Sequence, residues 1–322
     1  MLTPELLHYF SAGLTVILGG LGGGLGQGVA VMKTLDSMLR QPTGNDHEFR
    51  AMIIGLALIE SGCIVALVVT LLMLIGAPQT ISMAMAVAEL GAALAVGCAA
   101  VAVGLASGFV VRAATKSIAR QPTFAPKIFT VMLLTQSIIE APVIFAFIVA
   151  LAIKTQLPSI SSFAQGMQAL ASGLAVAIGC IGPSIGQAIF AHSANSALGV
   201  NKNAYGKIFP FTLVCEAIIE TPMIFCLLFS FLIIYAKLPA GAGDSLFVVV
   251  PFFVAVVTVG LGALGASSAI GHVASCSCLE IAREPESYPH LIRTTLLAIA
   301  FIESTVVYTL IVGFFLILRV SG

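Results

Sequence analysis

Glu60, Glu140, Glu220 and Glu303 each sit inside a long apolar segment, and they recur at intervals of 80, 80 and 83 residues. A carboxyl at mid-bilayer costs roughly 2.5–3.5 kcal/mol on insertion scales, so four represent on the order of 10–14 kcal/mol. A purely structural membrane protein gains nothing from that outlay. What a buried carboxyl does well is take up and release a small cation, a proton or a sodium ion, because desolvation disfavours its charged form until a counter-charge arrives. The spacing therefore describes four loading sites on one chain.

The elements that position these acids follow from composition. Hydrophobic residues make up 59% of the 322 and charged residues 9%, with a mean hydropathy of +1.10, which places the chain among multi-span membrane proteins. Apolar runs of about 20 residues or more lie at 8–32, 51–76, 81–112, 128–153, 163–194, 206–236, 247–274 and 291–318. Eight transmembrane helices are predicted. Barrel strands would run to about ten residues with polar and apolar positions alternating, and no such alternation is present.

Lys33, Arg40, Arg50, Arg112, Lys116, Arg120, Lys127, Lys202, Lys207, Arg283 and Arg293 flank the loops after odd-numbered spans, whereas only Lys154, Lys237 and Arg319 lie at the other side. By the positive-inside rule the basic loops are cytoplasmic and both termini lie outside. The N-terminus has no basic n-region, so Leu14 to Leu18 is expected to belong to a retained span. Glu89 is expected at the outer interface, and Glu5, Asp244 and the cytoplasmic acids in solvent.

Aligning the chain on its four acids brings Arg40-Gln41-Pro42, Arg120-Gln121-Pro122 and Arg283-Glu284-Pro285 into register, with Arg 20 residues before Glu each time. The third repeat has Val200-Asn201-Lys202 there, so its turn diverges. Each unit is two helices and a polar turn, at 1–79, 80–158, 159–241 and 242–322, joined by short connectors around Gly76-Ala77-Pro78-Gln79, Gln156-Leu157-Pro158 and Leu238-Pro239-Ala240-Gly241. First helices are rich in glycine: Gly19, Gly20, Gly22, Gly23, Gly24, Gly26 and Gly28, then Gly97, Gly104 and Gly108, then Gly179, Gly182 and Gly186, then Gly260, Gly262, Gly265 and Gly271. Small residues at this spacing let helix backbones approach closely in lipid. Second helices carry the acid among bulky Ile, Leu, Phe and Val. An inner layer of glycine-rich helices and an outer layer of acid-bearing ones follows.

Taken together, the glycine-rich first helix, the Arg-Gln-Pro turn and the acid midway along the second helix resemble the proteolipid c subunit of rotary ATP synthases, here as four fused c hairpins. The turn is similar to the F-type family; V-type proteolipids, the alternative, are also fused but usually lose an acid. The resemblance implies an all-α membrane protein forming part of a concentric two-layer rotor ring. It also implies further copies of the chain in that ring, surrounding lipid, an a-type stator subunit bearing an arginine, and a bacterial inner membrane. The stator charge would discharge each acid as it passes. Central-stalk subunits would meet Arg40, Gln41, Pro42, Arg120, Gln121, Pro122, Arg283, Glu284 and Pro285, and the third turn could not do so in the same way.

In the family's sodium-type site a Gln and the Glu of one hairpin join a hydroxyl just after the Glu of a neighbour. Here the position 33 residues before the acid is Gln27, Ser107, Gln187 or Ile270, and the residue after it is Ser61, Ala141, Thr221 or Ser304. Thr305 and Tyr308 resemble the family's hydrogen-bond network around the acid. Whichever way the hairpins follow one another, only one site in four combines Gln with a neighbouring hydroxyl, which favours protons over sodium, since a hard cation needs several oxygens. Glu216, one turn before Glu220 where the second repeat has Gln136, lies roughly 13 Å along the helix from Lys207 at 1.5 Å per residue. It either shares a proton with Glu220 or replaces an amide as a protonated hydrogen-bond partner.

Pro142 and Pro222 follow the acid by two residues and remove a backbone donor; they have no catalytic role. Cys63, Cys98, Cys180, Cys215, Cys226, Cys276 and Cys278 are an odd set spread along the spans and read as packing residues; a Cys-x-Cys with His272 nearby is a weak metal signal. No cofactor is expected. Gly19 to Gly28 lacks the Lys-Ser or Lys-Thr of a phosphate loop, so the chain does not itself make or hydrolyse ATP, and no nucleic-acid partner is indicated. A channel or secondary transporter is the remaining alternative, but transporters usually build one site from inverted repeats, and these repeats run parallel.

Overall fold

The computed structural model describes residues 3–76, 80–239 and 245–321. The connector residues 77–79 and 240–241 and Asp244 lie outside the described residues, as do the junctions expected at 79/80 and 241/242. The architecture is all-helical, with eight long apolar helices arranged as four hairpins. Hairpin 1 comprises α1 (Pro4–Arg40) followed by α2 (Asn45–Ile59) and α3 (Ser61–Ile75). Hairpin 2 comprises α4 (Met83–Arg120), α5 (Ala125–Ile139) and α6 (Ala141–Gln156). Hairpin 3 has α7 (Phe163–Gly179), α8 (Ile181–Val200) and α9 (Tyr205–Ile234), and hairpin 4 has α10 (Val250–Arg283) and α11 (Tyr288–Ser321).

Local sequence sets where these helices begin and end. Thr3, Ser82 and Ser162 cap the starts of α1, α4 and α7 by accepting from the backbone N–H of the third residue on, and Gln165 completes a capping box with Ser162. At the other end, the proline of each Arg-x-Pro turn pushes its predecessor out of the helical region: Gln41, Gln121 and Glu284 have φ of −138°, −132° and −132°. A short 3₁₀ turn then reverses the chain.

The third turn takes the same shape without a proline. Asn201 has φ −145°, its Oδ1 accepts from the backbone of Asn203 at 3.0 Å, and its Nδ2 donates to the Ala282 carbonyl of the fourth hairpin at 2.9 Å. The divergence seen in sequence is thus one of residues and not of backbone.

First helices form one layer in chain order: α1 packs on α4, α4 on α7 and α8, and these on α10. Acid-bearing helices form a second layer seated over the seams, with α2 and α3 touching both α1 and α4, and α9 touching α7, α8 and α10. Glycine makes the first layer possible. A Cβ on Gly26 would stand 2.0 Å from the Gly104 carbonyl oxygen, one on Gly104 2.6 Å from that of Gly22, and one on Gly271 2.4 Å from that of Gly186. The backbones meet directly, as lipid-embedded helices lacking a hydrophobic drive require.

Breaks interrupt two acid-bearing helices at the acid itself, Glu60 and Glu140, and one first helix at Cys180, all with φ and ψ still near helical values. Pro142 accompanies the break at Glu140, but α9 runs unbroken past Glu220 with Pro222 inside it. The proline alone does not decide the break.

Replacing Gly26 by Val is expected to force α1 and α4 apart and destabilise the fold by about 1–3 kcal/mol or more, whereas Gly13→Ala, with open space at its Cβ, is expected to be tolerated. Thermal unfolding of the purified protein in mild detergent compares the two.

Candidate functional site

Around Glu140 the two layers converge. Its Oε2 accepts from the Ser61 hydroxyl at 2.5 Å, and its Oε1 accepts from the Ser107 hydroxyl at 3.3 Å. Ser107 belongs to the first helix of the same hairpin, while Ser61 follows the acid of the hairpin before. Outer helices over the seams explain this: α3 and α6 both border α4, so α4 faces the acid-bearing helices of hairpins 1 and 2 together. One site is therefore built from two consecutive hairpins.

The other predicted groups are brought together less completely. Gln27 sends its amide to the Leu56 carbonyl at 3.4 Å, one turn short of Glu60, and Glu60 is exposed. Gln187 and Glu216 are both 0% exposed, and none of their side-chain polar atoms is hydrogen-bonded. Thr221, Ser304 and Thr305 turn their hydroxyls back to the carbonyls of Ala217, Phe301 and Ile302 at 3.3, 2.7 and 2.7 Å. Tyr308 is 66% exposed on α11. Glu220 and Glu303 are half-buried. Among the described residues Glu140 is the one of the four acids whose carboxyl is bonded.

At the opposite end of the long helices from the acids' outer flank, the turns expose their polar residues. Arg40 bonds Asp36 and Arg283 bonds Glu280 within their own helices, with Arg120 and Glu284 also exposed and Gln41, Gln121, Pro122 and Pro285 half-buried.

Two expectations are corrected. Glu89 is not interfacial: it is 2% exposed, hydrogen-bonded to His8 of α1, and its Oε1 lies 3.9 Å from Lys154 Nζ, which also donates to the Gly76 carbonyl at 2.9 Å. Nor are all the cytoplasmic acids solvated. Glu48 is 0% exposed, because it occupies the inward position that Ile128 and Ile208 fill in hairpins 2 and 3. Its place in the first turn of α2 offers the favourable end of the helix dipole. Cys276 is exposed, so it is not a packing residue within this chain, although Cys180, Cys215, Cys226 and Cys278 are buried. No group of three metal-binding side chains occurs among the described residues.

A signal for the missed contacts existed in the repeat period. Partners in neighbouring hairpins stand about one repeat apart: His8 and Glu89 by 81 residues, Gln136 and the Gly55 carbonyl by 81, Ser193 and Ser275 by 82.

Compared with known families, residues 10–73, 90–153, 170–233 and 253–316 each match the ATP synthase C subunit, one match per hairpin and together most of the chain. The chain belongs to the ATP synthase C subunit family. In family terms it is a non-catalytic rotor component and an integral membrane protein. Among curated relatives, the ATP synthase c subunit of Geotalea uraniireducens (strain Rf4) is 44% identical over 68 residues, covering 21% of this chain and 75% of the relative. That of Desulfosudis oleivorans is 36% identical over 81 residues, 24% of this chain and 84% of the relative. An ATP synthase c subunit of Cereibacter sphaeroides, the one numbered 2, is 38% identical over 82 residues, 24% and 99% respectively. Each relative is matched by about a quarter of the chain, as expected when one c hairpin is repeated four times.

Replacing Glu89 by Ala leaves His8 and Lys154 without their shared carboxylate. Breaking a buried charged pair costs about 3–5 kcal/mol, and a fall in the detergent unfolding temperature of E89A, larger than that of the exposed Glu5→Ala, is the expected result.

Proposed function

We propose that the chain is the ion-carrying rotor-ring subunit of an F-type ATP synthase, with one reversible cation site per hairpin at Glu60, Glu140, Glu220 and Glu303. The site at Glu140 carries this reading. An acid held by hydroxyls from its own and the preceding hairpin is a site that exists only where hairpins stand side by side. Extended along the chain, the rule assigns Ser107 and Ser61 to Glu140, Gln187 and Ala141 to Glu220, and Ile270 and Thr221 to Glu303. Glu60 and Gln27 then await Ser304 of another copy, which accounts for the exposure of Glu60.

Unfilled faces support the same assembly. Gly20, Gly24 and Gly28 of α1 border open space, yet they correspond to Ala100, Gly104 and Gly108, the face that α4 turns to α1. Gly265 on α10 is open as well, whereas its counterparts Gly22 and Gly182 press against the next hairpin's backbone. A second copy placed head to tail would close both faces and complete the site at Glu60. The four units, 1–79, 80–158, 159–241 and 242–322, thus act as four consecutive rotor teeth.

The cargo is a proton. Glu140, the one acid with bonded oxygens, has two hydroxyl neighbours and no amide, a sparse set for a hard cation but sufficient for a desolvated carboxyl. While facing lipid each acid is neutral; beside a stator arginine the balance reverses and the proton leaves. The Arg-Gln-Pro turn and the c-subunit relatives favour the F-type reading over the V-type. Basic turns place the stalk contacts at Arg40, Arg120 and Arg283 on the cytoplasmic side, with both termini outside.

A carbodiimide that attacks protonated buried carboxyls is expected to modify the four glutamates and block ATP-coupled proton transport, with sodium offering no protection at neutral pH. Native mass spectrometry is expected to give rings of a hairpin number divisible by four. A stable single-chain pore of eight helices, or unimpaired membrane-driven ATP synthesis after all four acids are changed to Gln, would end this proposal.

A further inference from the structure

Hairpin 3 has lost one partner for its acid and gained another. By the arrangement around Glu140, the residue that should reach Glu220 from the preceding hairpin is Ala141, which has no hydroxyl. The same hairpin has a second carboxyl, Glu216, where the others have Leu56, Gln136 and Ile299. Glu216 is one helical turn from Glu220 on the same face of the unbroken α9. The place it occupies is next to the glutamine of its own first helix: in hairpin 1 the amide of Gln27 reaches the backbone of residue 56, the counterpart of 216. A Cβ on Gly186, beside Gln187, would lie 2.9 Å from Ile219 on the same stretch of α9.

Glu216 and Gln187 are 0% exposed, and all four of their terminal atoms are without a hydrogen-bond partner. Such atoms are rare in a protein interior and call for an explanation. An ionised carboxylate cannot persist there unpaired, so Glu216 keeps its proton. A protonated carboxyl then carries one O–H donor and one free acceptor oxygen. The charged neighbour in reach of Glu216 is Glu220; the titratable groups otherwise near it are the buried thiols of Cys215 beside it and Cys278 on α10. His192, further along α8, lines the groove between α4 and α8.

Resting on the ion-carrier reading above, we infer that Glu216 is a permanently protonated positioning residue whose O–H bonds Glu220, replacing in hairpin 3 the hydroxyl that Ser61 offers Glu140. Its acceptor oxygen takes the amide of Gln187, so the two orphaned side chains satisfy one another. When Glu220 releases its ion at the stator, the Glu216 proton stays in place and holds the carboxylate by a charge-assisted bond. Glu216 itself carries nothing.

The test is site-resolved carbodiimide modification of the intact ring as a function of pH, read by mass spectrometry, in the parent and three variants. Glu216→Leu, the residue of hairpin 1, removes the donor; modification of Glu220 is expected to persist to a pH about one unit higher, as loss of a hydrogen bond to a charged group implies, while Glu140 is unchanged. Glu216→Gln keeps a donor and the parent profile. Ala141→Ser added to Glu216→Leu restores the profile by returning the hydroxyl. A Glu220 profile unmoved in E216L, or not restored by A141S while E216Q behaves as the parent, overturns the assignment. So does sodium protection of Glu220 that vanishes in E216L, which would make the pair cation ligands. Absence of modification at all four acids in the parent would sink the ion-carrier reading itself, an outcome separate from a failure at Glu220 alone.

Discussion

Backbone-to-backbone contact between consecutive first helices is the constraint on which the rest of this molecule depends. Where a Cβ would fall 2.0 Å from a carbonyl oxygen, as at Gly26 against Gly104, no other residue fits without separating the helices. Because the contact is between main chains, it sets depth as well as distance. That shared depth brings Ser61 of one hairpin level with Glu140 of the next. A slip of one turn, about 5.4 Å, would leave every acid facing the wrong neighbour.

The second layer follows from the first. Helices seated over seams each border two first helices, so every acid looks onto groups from two hairpins, and the layer's end helix, α11, rests on α10 and the edge of α9. The molecule is consequently unfinished at both ends in a complementary way. Open glycines on α1 and α10 and the exposed Glu60 are the cut edges of a repeating arrangement, much as an edge strand is the unfinished side of a sheet.

Fusion also gives each hairpin a fixed predecessor. In a ring of identical single hairpins, any substitution beside the acid appears at every site. Here Ala141 affects one junction, Ile270 another, and Glu216 a third. Turn residues can diverge in the same manner: Asn201 reaches the Ala282 carbonyl, and Lys207 donates to the Pro285 carbonyl at 2.6 Å. Hairpin 3 is thereby tied to hairpin 4 by contacts the other junctions lack. Permanent order permits the repeats to specialise while the backbone register stays common.

Much of this was legible in the residues alone. Four acids at a fixed period, glycines at three- and four-residue spacing and recurring Arg-x-Pro turns determine eight helices, four hairpins, two layers and the depth of each acid, since all of these follow from periodicity and from what lipid tolerates. What the sequence left open was which neighbour completes each site, because hairpins in chain order could follow one another with either hand, and only packing shows Ser61 bonding Glu140 from the preceding side. Burial was likewise beyond reach: Glu89 and Glu48 read as solvated acids because charge and position along the chain say nothing of which way a side chain turns. Their surroundings are set by the seams between helices, and a seam is a property of two segments some 80 residues apart rather than of either one.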